Sequence, residues 1–328
     1  MPAKKLKKIL ITGGAGFIGS HLADRLLSLG HEVYALDDLS TGKFENIIHL
    51  ESHKSFHYVI DSVLNKNVVG KLVDLCDEIY HLAAAVGVRT IIDKPMQSLQ
   101  TNIVGTENLL EAANKKHKKI FITSTSEVYG KNGQHRAFKE TDDRLQGPTY
   151  ISRWGYAASK AIDEFMAFSY FRERKMPVVI ARLFNIIGPR QTGLYGMVVP
   201  SFIRKALRNR PITIYGSGKQ SRCFCYVVDA VEAMIKLMNS TRAVGELFNI
   251  GSEEEITIKQ LAHKVKTMTN SQSKIAYISY EKAYESGFED MMRRKPDLTK
   301  IKKYINWQPR TNLEKTLQYI IDDFKNAK

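Results

Sequence analysis

Along the first half of the chain, short apolar β-type runs alternate with longer stretches of helical periodicity. Lys7–Thr12, Glu32–Leu36, Phe56–Ile60, Glu78–Ala83, Lys119–Thr125 and Pro177–Phe184 read as six strands. Between them the apolar positions recur every three to four residues, as in the run from Ser20 to Gly30 and in the long segments 95–116 and 156–174. Strand alternating with helix predicts a doubly wound α/β fold with a parallel sheet. After Asn185 the alternation loosens. Helices are expected over 200–210, 257–269 and 313–324, and strands over 211–215 and 222–228, which form a smaller α/β lobe. The expected division is 1–187 for the larger domain and 188–328 for the lobe, with no Ser/Pro/Gly linker between them and an interleaved boundary.

The first strand runs into Gly13-Gly-Ala-Gly16-Phe17-Ile18-Gly19 and then a helix. Glycines at this point permit a tight turn and a close approach of backbone to a pyrophosphate, and the helix start supplies N–H donors and partial positive charge. The second strand ends at Asp37-Asp38, close to the ~20-residue offset expected of the acid that binds the adenosine ribose. A carboxylate there repels a 2′-phosphate, which favours NAD over NADP; either Asp37 or Asp38 fits the part. Asp61-Ser62, after the third strand, would meet the adenine edge or cap the next helix. The small residues Ala83-Ala84-Ala85-Val86-Gly87, next to Leu82, let a cofactor lie close, and Asn102 falls in the first half of the following helix.

The fifth strand delivers Thr125-Ser126-Glu127 at its carboxyl end, where open α/β sheets bind ligands. Tyr156 and Lys160 stand one helical turn apart on one face. An ammonium beside a phenol lowers the phenol's pKa and creates a base usable near neutral pH. A hydroxyl pair, a carboxylate, a phenol and an ammonium therefore converge on one crevice.

Composition narrows the class. With 328 residues, 43% apolar, the chain can bury a large core. No apolar run approaches the ~20 residues that span a bilayer, so no membrane association is expected. The basic start, Met1 to Lys8, leads straight into the first strand and not into a signal segment. Cys76, Cys223 and Cys225 form no disulfide framework or zinc motif, which suits a reducing cytoplasm and a metal-free protein. The net charge of +15 is spread over helices and termini with no basic block or nucleic-acid module, so nucleic acid is not an expected partner; part of it suits a polyanionic substrate.

With these residues placed, the chain resembles the extended short-chain dehydrogenase/reductases that modify nucleotide sugars. The resemblance runs from Lys8 to about Phe324. It rests on Thr12-Gly-Gly-Ala-Gly-Phe-Ile-Gly19, His81-Leu-Ala-Ala84, Ser124-Thr-Ser-Glu-Val-Tyr-Gly130, Tyr156-x-x-x-Lys160, Arg182-Leu-Phe-Asn185 and Gly188-Pro-Arg190. Within that group it looks most like the UDP-glucuronate decarboxylases, on Thr125-Ser126-Glu127, Arg153-Trp154, Gly218-Lys-Gln-x-Arg222-Cys-Phe224 and Arg294-Lys-Pro296. The resemblance implies NAD as cofactor, a UDP-sugar as substrate and a homodimer. It implies that Tyr156 deprotonates the sugar 4-hydroxyl, Thr125 and Ser126 bind O4, Lys160 holds the nicotinamide ribose, Glu127 repels or positions the carboxylate, and Arg294 assists loss of CO₂. Asn185, Arg222 and Arg294 would follow the diphosphate, Arg153 would bind substrate, and Val198, Val199 and Tyr215 would flank the base. The segment Tyr284–Asp290 resembles a bacterial branch labelled UDP-sugar 4-epimerase, so 4-epimerisation is the alternative activity; a Rossmann-fold binding protein without catalysis is the third. A 4,6-dehydratase usually carries Asp-Glu where this chain has Ser126-Glu127.

Overall fold

Residues 6–85, 93–131, 136–193, 197–280 and 291–326 are described by the computed structural model. The chain begins with β1 (Lys8–Thr12), α1 (Phe17–Ser28), β2 (Glu32–Asp37), β3 (Phe56–Ile60), α2 (Lys66–Leu75), β4 (Glu78–His81), α3 (Pro95–Asn114), β5 (Lys119–Thr125), α4 (Ser152–Arg174) and β6 (Val178–Leu183). It continues through β7 (Ile186–Ile187), α5 (Val198–Leu207), β8 (Ile212–Tyr215), β9 (Ser221–Cys223), β10 (Cys225–Tyr226), α6 (Val227–Asn239), β11 (Glu246–Ile250), β12 (Glu255–Thr257) and α7 (Ile258–Met268). The last elements are β13 (Ile275–Ile278), β14 (Arg293–Arg294), α8 (Thr299–Ile305) and α9 (Leu313–Asn326).

Seven strands form one parallel sheet in the order β11-β6-β5-β4-β1-β2-β3. The central strands are apolar on both faces because helices cover both faces, as a parallel sheet requires. Ile9, Ile11, Ala35, Phe121 and Val179 meet α1 and α6 on one side. Leu10, Ile79, Ile120, Ile122 and Ile180 meet α2, α3 and α4 on the other. Each of these buried side chains larger than alanine contributes about 1.5–3 kcal/mol of transfer free energy. Strand order reverses between β1 and β4, and the crevice outside their carboxyl ends is where such sheets bind ligands.

Two local expectations change. The seventh sheet strand, β11, comes from well inside the second half of the chain, so the lobe begins after β6, is interrupted by α6 and β11, and resumes. The single strand expected over 222–228 is two short ones: β9 pairs with β12 and β14, β10 pairs with β7, and α6 begins at Val227. A separate apolar cluster from α5, α7 and α9, including Phe202, Leu261 and Leu317, carries the lobe.

Candidate active site

A single cleft of about 1150 Å³ runs from the carboxyl end of β2, over the switch point, to the lobe. At its nucleotide end the wall is backbone. Gly13 has φ +73°, and a Cβ there would stand 2.8 Å from the Ala83 amide nitrogen. A Cβ on Gly19 would stand 2.0 Å from the Gly13 carbonyl oxygen. Only a chain without side chains at these points lets β1, the β4 loop and the α1 start lie this close. Asp37 is oriented by two backbone donors, Ala15 N–H at 3.0 Å and Leu39 N–H at 2.8 Å. Burial raises its carboxyl pKa and those two donors oppose the rise. Asp38 instead accepts from Ser40 N–H and its hydroxyl. Gly13, Gly16, Phe17, Ile18, Gly19, Asp37, Asp38, Asp61, Leu82, Ala83 and Ala84 all line the cleft. Side-chain-free turn, helix N-terminus and carboxylate together form a cradle that fits a dinucleotide.

Two residues of the expected cofactor set do not reach the cleft wall. Ser62 accepts the Leu64 N–H at 3.2 Å, so its hydroxyl serves the turn before α2, whose cap is Asn65. Asn102 is fully buried; it accepts the Ala85 N–H at 2.9 Å and donates to Ser159 Oγ at 3.1 Å, tying the β4 loop to α4. Val86, Gly87 and the Tyr284–Asp290 segment lie outside the described residues.

The sugar end is made of side chains. After β5 the chain makes a 3-10 turn over Ser126–Tyr129, with Thr125 Oγ1 accepting the Glu127 N–H at 3.2 Å. Behind this turn Tyr129, Phe138, Trp154 and Phe184 pack as an aromatic plug, which fixes Glu127 and the start of α4. Arg153 holds the Glu127 carboxylate from two guanidinium nitrogens, Nη2 at 2.9 Å and Nε at 3.2 Å. Arg294 on β14 holds the other oxygen through Nη1 and stands 3.5 Å from Ser126 Oγ. Arg222 arrives beside Arg294 through the β9–β14 pairing. Burial works to raise the Glu127 pKa, but Arg153, Arg294 and Arg222 outweigh it and bring it down to about 2. Glu127 is therefore a fixed anion and no proton donor. Its charge is quenched from two sides, which weakens the expected repulsion of a substrate carboxylate.

Tyr156 and Lys160 do share the inner face of α4, yet the expected lowering of the phenol's pKa is not what the geometry gives. Burial raises the Tyr156 pKa, the Glu127 and Asp163 charges raise it further, and a hydrogen bond with Thr125 opposes them. Burial is the main cause, and the Lys160 ammonium is engaged by Asp163 Oδ2 at 2.6 Å. Thr125, Ser126, Glu127, Arg153, Tyr156, Lys160, Asn185, Val198, Val199, Tyr215, Arg222 and Arg294 all line the same cleft. Asn185, at φ +41°, donates to the Cys223 carbonyl at 3.0 Å and so spans the gap between β6 and β9. Sequence reasoning missed Arg204, Lys205, Gln191 and Tyr280, which line it too. Lys205 lies two turns along α5 from Val198 and donates to Thr213 Oγ1 at 2.8 Å; that helical spacing was the available signal. Among the described residues no three His, Cys, Asp or Glu side chains are grouped to hold a metal ion, and no helix is long and apolar enough to cross a membrane.

Comparison with known proteins agrees with this geometry. The model of the GDP-mannose 4,6-dehydratase family matches residues 10–320. The chain belongs to that family. It is an extended short-chain dehydrogenase/reductase, as the motifs imply. Over 97% of its length it is 44% identical to a UDP-N-acetyl-alpha-D-glucosaminuronate decarboxylase of Bacillus cytotoxicus, 98% of which is covered. It is 37% identical to UDP-glucuronic acid decarboxylase 1 of Xenopus tropicalis over 98% of this chain and 73% of that one. Among solved structures, the UDP-glucuronic acid 4-epimerase of Bacillus cereus, in complex with UDP-glucuronic acid and NAD, superposes with a TM-score of 0.88 at 29% identity, covering 98% of this chain and all of that one.

Proposed function

We propose that the protein is an NAD-dependent decarboxylase of a UDP-linked uronic acid, with UDP-N-acetylglucosaminuronate and UDP-glucuronate as the two leading substrates. The observation that carries the reading is the Arg153–Glu127–Arg294 cluster beside Tyr156, in a chain 44% identical to a decarboxylase of that substrate class. Three guanidinium groups stand against one carboxylate at the sugar end, which favours a substrate bearing a carboxylate and a diphosphate. Among the described residues Arg294 Nε, a buried donor, makes no hydrogen bond.

NAD, when bound, supplies the acceptor for the hydrogen on the sugar C4. Tyr156 takes the proton of the 4-hydroxyl, with Thr125 and Ser126 hydrogen-bonding O4. The resulting 4-keto uronate is a β-keto acid: as the bond between C5 and the carboxylate breaks, its electrons enter the new carbonyl and CO₂ departs. Arg294 stabilises the enolate that forms, which takes a proton at C5 to give the decarboxylated 4-keto sugar; that ketone either takes the hydride back at C4 or leaves as it is, the cofactor then remaining reduced. Glu127 keeps Arg153 and Arg294 at fixed places around the reacting carbons. Asn185 and Arg222 follow the diphosphate, and Val198, Val199 and Tyr215 flank the base. Lys160 serves the nicotinamide ribose.

A second copy of the chain is the proposed partner. Leu109 is buried against the sheet, but Leu99, Ile162 and Phe165 face outward from α3 and α4, and Phe165 is 60% exposed. Pairing of these two helices across a twofold axis covers that face; sedimentation that returned a monomer at all concentrations would oppose it. The enzymatic reading is tested by incubating the purified protein with NAD⁺ and each UDP-uronate in turn and weighing the separated nucleotide sugars. Loss of CO₂ supports decarboxylation. An unchanged mass with a new retention time means 4-epimerisation, and no change with either substrate means neither.

A further inference from the structure

The ammonium of Lys160 has a buried counter-ion of its own, Asp163, one turn further along α4. Lys160 and Asp163 are 2% and 0% exposed, and Nζ lies 2.6 Å from Oδ2. The pair sits at the junction of α4, α3 and the end of β4. Thr106 on α3 lies against the Asp163 carboxylate. The Thr106 hydroxyl is 3.0 Å from His81 Nε2, and His81 Nδ1 is 2.7 Å from Thr12 Oγ1, just before the glycine turn. A buried polar chain thus runs from the end of β1 to the catalytic lysine.

The other charges that face this place are already matched. Glu164, next on the same helix, is held by Arg182 of β6 at 2.7 and 2.8 Å and by Ser124 Oγ at 2.5 Å. Glu127 is held by Arg153 of α4 and Arg294 of β14, with Arg222 of β9 close by. His81 of β4 is kept neutral, its pKa pushed down to about 3 by burial and by the Lys160 charge. Asp163 thus meets the Lys160 ammonium through Oδ2 and has the Thr106 hydroxyl against its carboxylate; burial raises its pKa, and Lys160 and Thr106 oppose the rise.

We infer that Asp163 is a positioning residue that turns Lys160 into one half of a neutral pair one helical turn from Tyr156, so that the phenol keeps its proton until the cationic cofactor is bound. In a Tyr-x-x-x-Lys arrangement without this acid, the phenol would face a net positive charge and give up its proton at a lower pH. Here the pair's net charge is zero, so burial of the phenol, the first cause of its raised pKa, is not offset by the lysine, and the Asp163 and Glu127 charges add to the rise. This rests on the role given to Tyr156 and Lys160 above, but not on which sugar is bound.

The test reads the tyrosine directly and needs no sugar. Protein labelled with ¹³C at the tyrosine Cζ is titrated by NMR with NAD⁺ bound, and the Tyr156 signal is assigned from Tyr156→Phe. Asp163→Asn is expected to move the Tyr156 titration down by about one pH unit, and Asp163→Glu to return it toward wild type. Lys160→Met is expected to move it up. The double variant Lys160→Met/Asp163→Asn, which strands no charge and so guards against a single variant that fails to fold, should titrate close to wild type. Coincident curves for wild type and Asp163→Asn overturn the inference. So does a double variant that titrates with Lys160→Met, because the aspartate then contributes nothing. A chain that titrates as expected but decarboxylates no UDP-uronate would remove the proposed substrate and leave the Asp163 role standing.

Discussion

The two ends of the cleft are built from different materials. The nucleotide end is a contiguous piece of backbone, residues 12–19, closed against the β4 loop and finished by one carboxylate, Asp37. The sugar end is four side chains, Glu127, Arg153, Arg222 and Arg294, carried by a turn, a helix start and two short strands. At the first end the hydrogen-bonding groups are peptide N–H groups whose positions are set by the fold, so what matters is that nothing intrudes. At the second the geometry is held by mutual neutralisation of buried charges, so what matters is that every member is present. A backbone-built site suits an element that must hold the same dinucleotide whatever the reaction. A side-chain cluster is where a family of one fold can change its substrate.

The difference is breakable at either end. Gly19→Ala should do the greatest damage at the nucleotide end, because a methyl 2.0 Å from the Gly13 carbonyl forces backbone to move. NAD affinity, followed by fluorescence titration, should fall on the order of 100-fold or more. Glu127→Gln should leave NAD affinity intact while cutting kcat on the order of 100-fold, since Arg153 and Arg294 lose the anion that places them. If Glu127→Gln weakened NAD binding as strongly as it slowed turnover, the two ends would not be independent. Asp37→Asn should weaken NAD about tenfold and reduce discrimination against NADP, with kcat at saturation unchanged.

The smallest expected effect concerns pH. The Glu127 carboxyl, brought from its ordinary 4.5 to about 2, binds protons more weakly in the folded chain than in the unfolded one. Its contribution to stability is therefore fully present above about pH 4.5 and is lost as the pH falls toward 2. Chemical denaturation of wild type and Glu127→Gln should converge over that interval and differ by a constant amount above it. A difference that grew upward from neutral pH would contradict the ion-pair account.

The same contrast explains what could be read from the chain alone. The nucleotide end is local: a strand, its glycines and a helix follow one another, and the acid comes at the end of the next strand, so spacing is enough. Tyr156 and Lys160 are likewise one turn apart and fall on one face without further information. The Glu127–Arg153–Arg294 cluster joins residues up to 167 positions apart, and no periodicity links them; only the family resemblance brought them together. Lys160's turn toward Asp163 was hidden for a different reason. Asp163 reads as one more charged helix position, and its complete burial beside Thr106 of α3 is a tertiary feature. The return of β11 to the main sheet was also out of reach, because α6 and β11 follow three short strands that break the alternation.

In the proposed reaction CO₂ leaves only after Tyr156 has allowed oxidation at C4. The most direct measurement is release of labelled CO₂ from UDP-uronates labelled at the carboxyl carbon, with NAD⁺, by wild type and Tyr156→Phe side by side. Wild type should release the label, and the phenylalanine variant should retain NAD binding while releasing it about 10²–10⁴-fold more slowly. Equal rates from the two proteins, or a wild type that alters the sugar while keeping the labelled carbon, would contradict it.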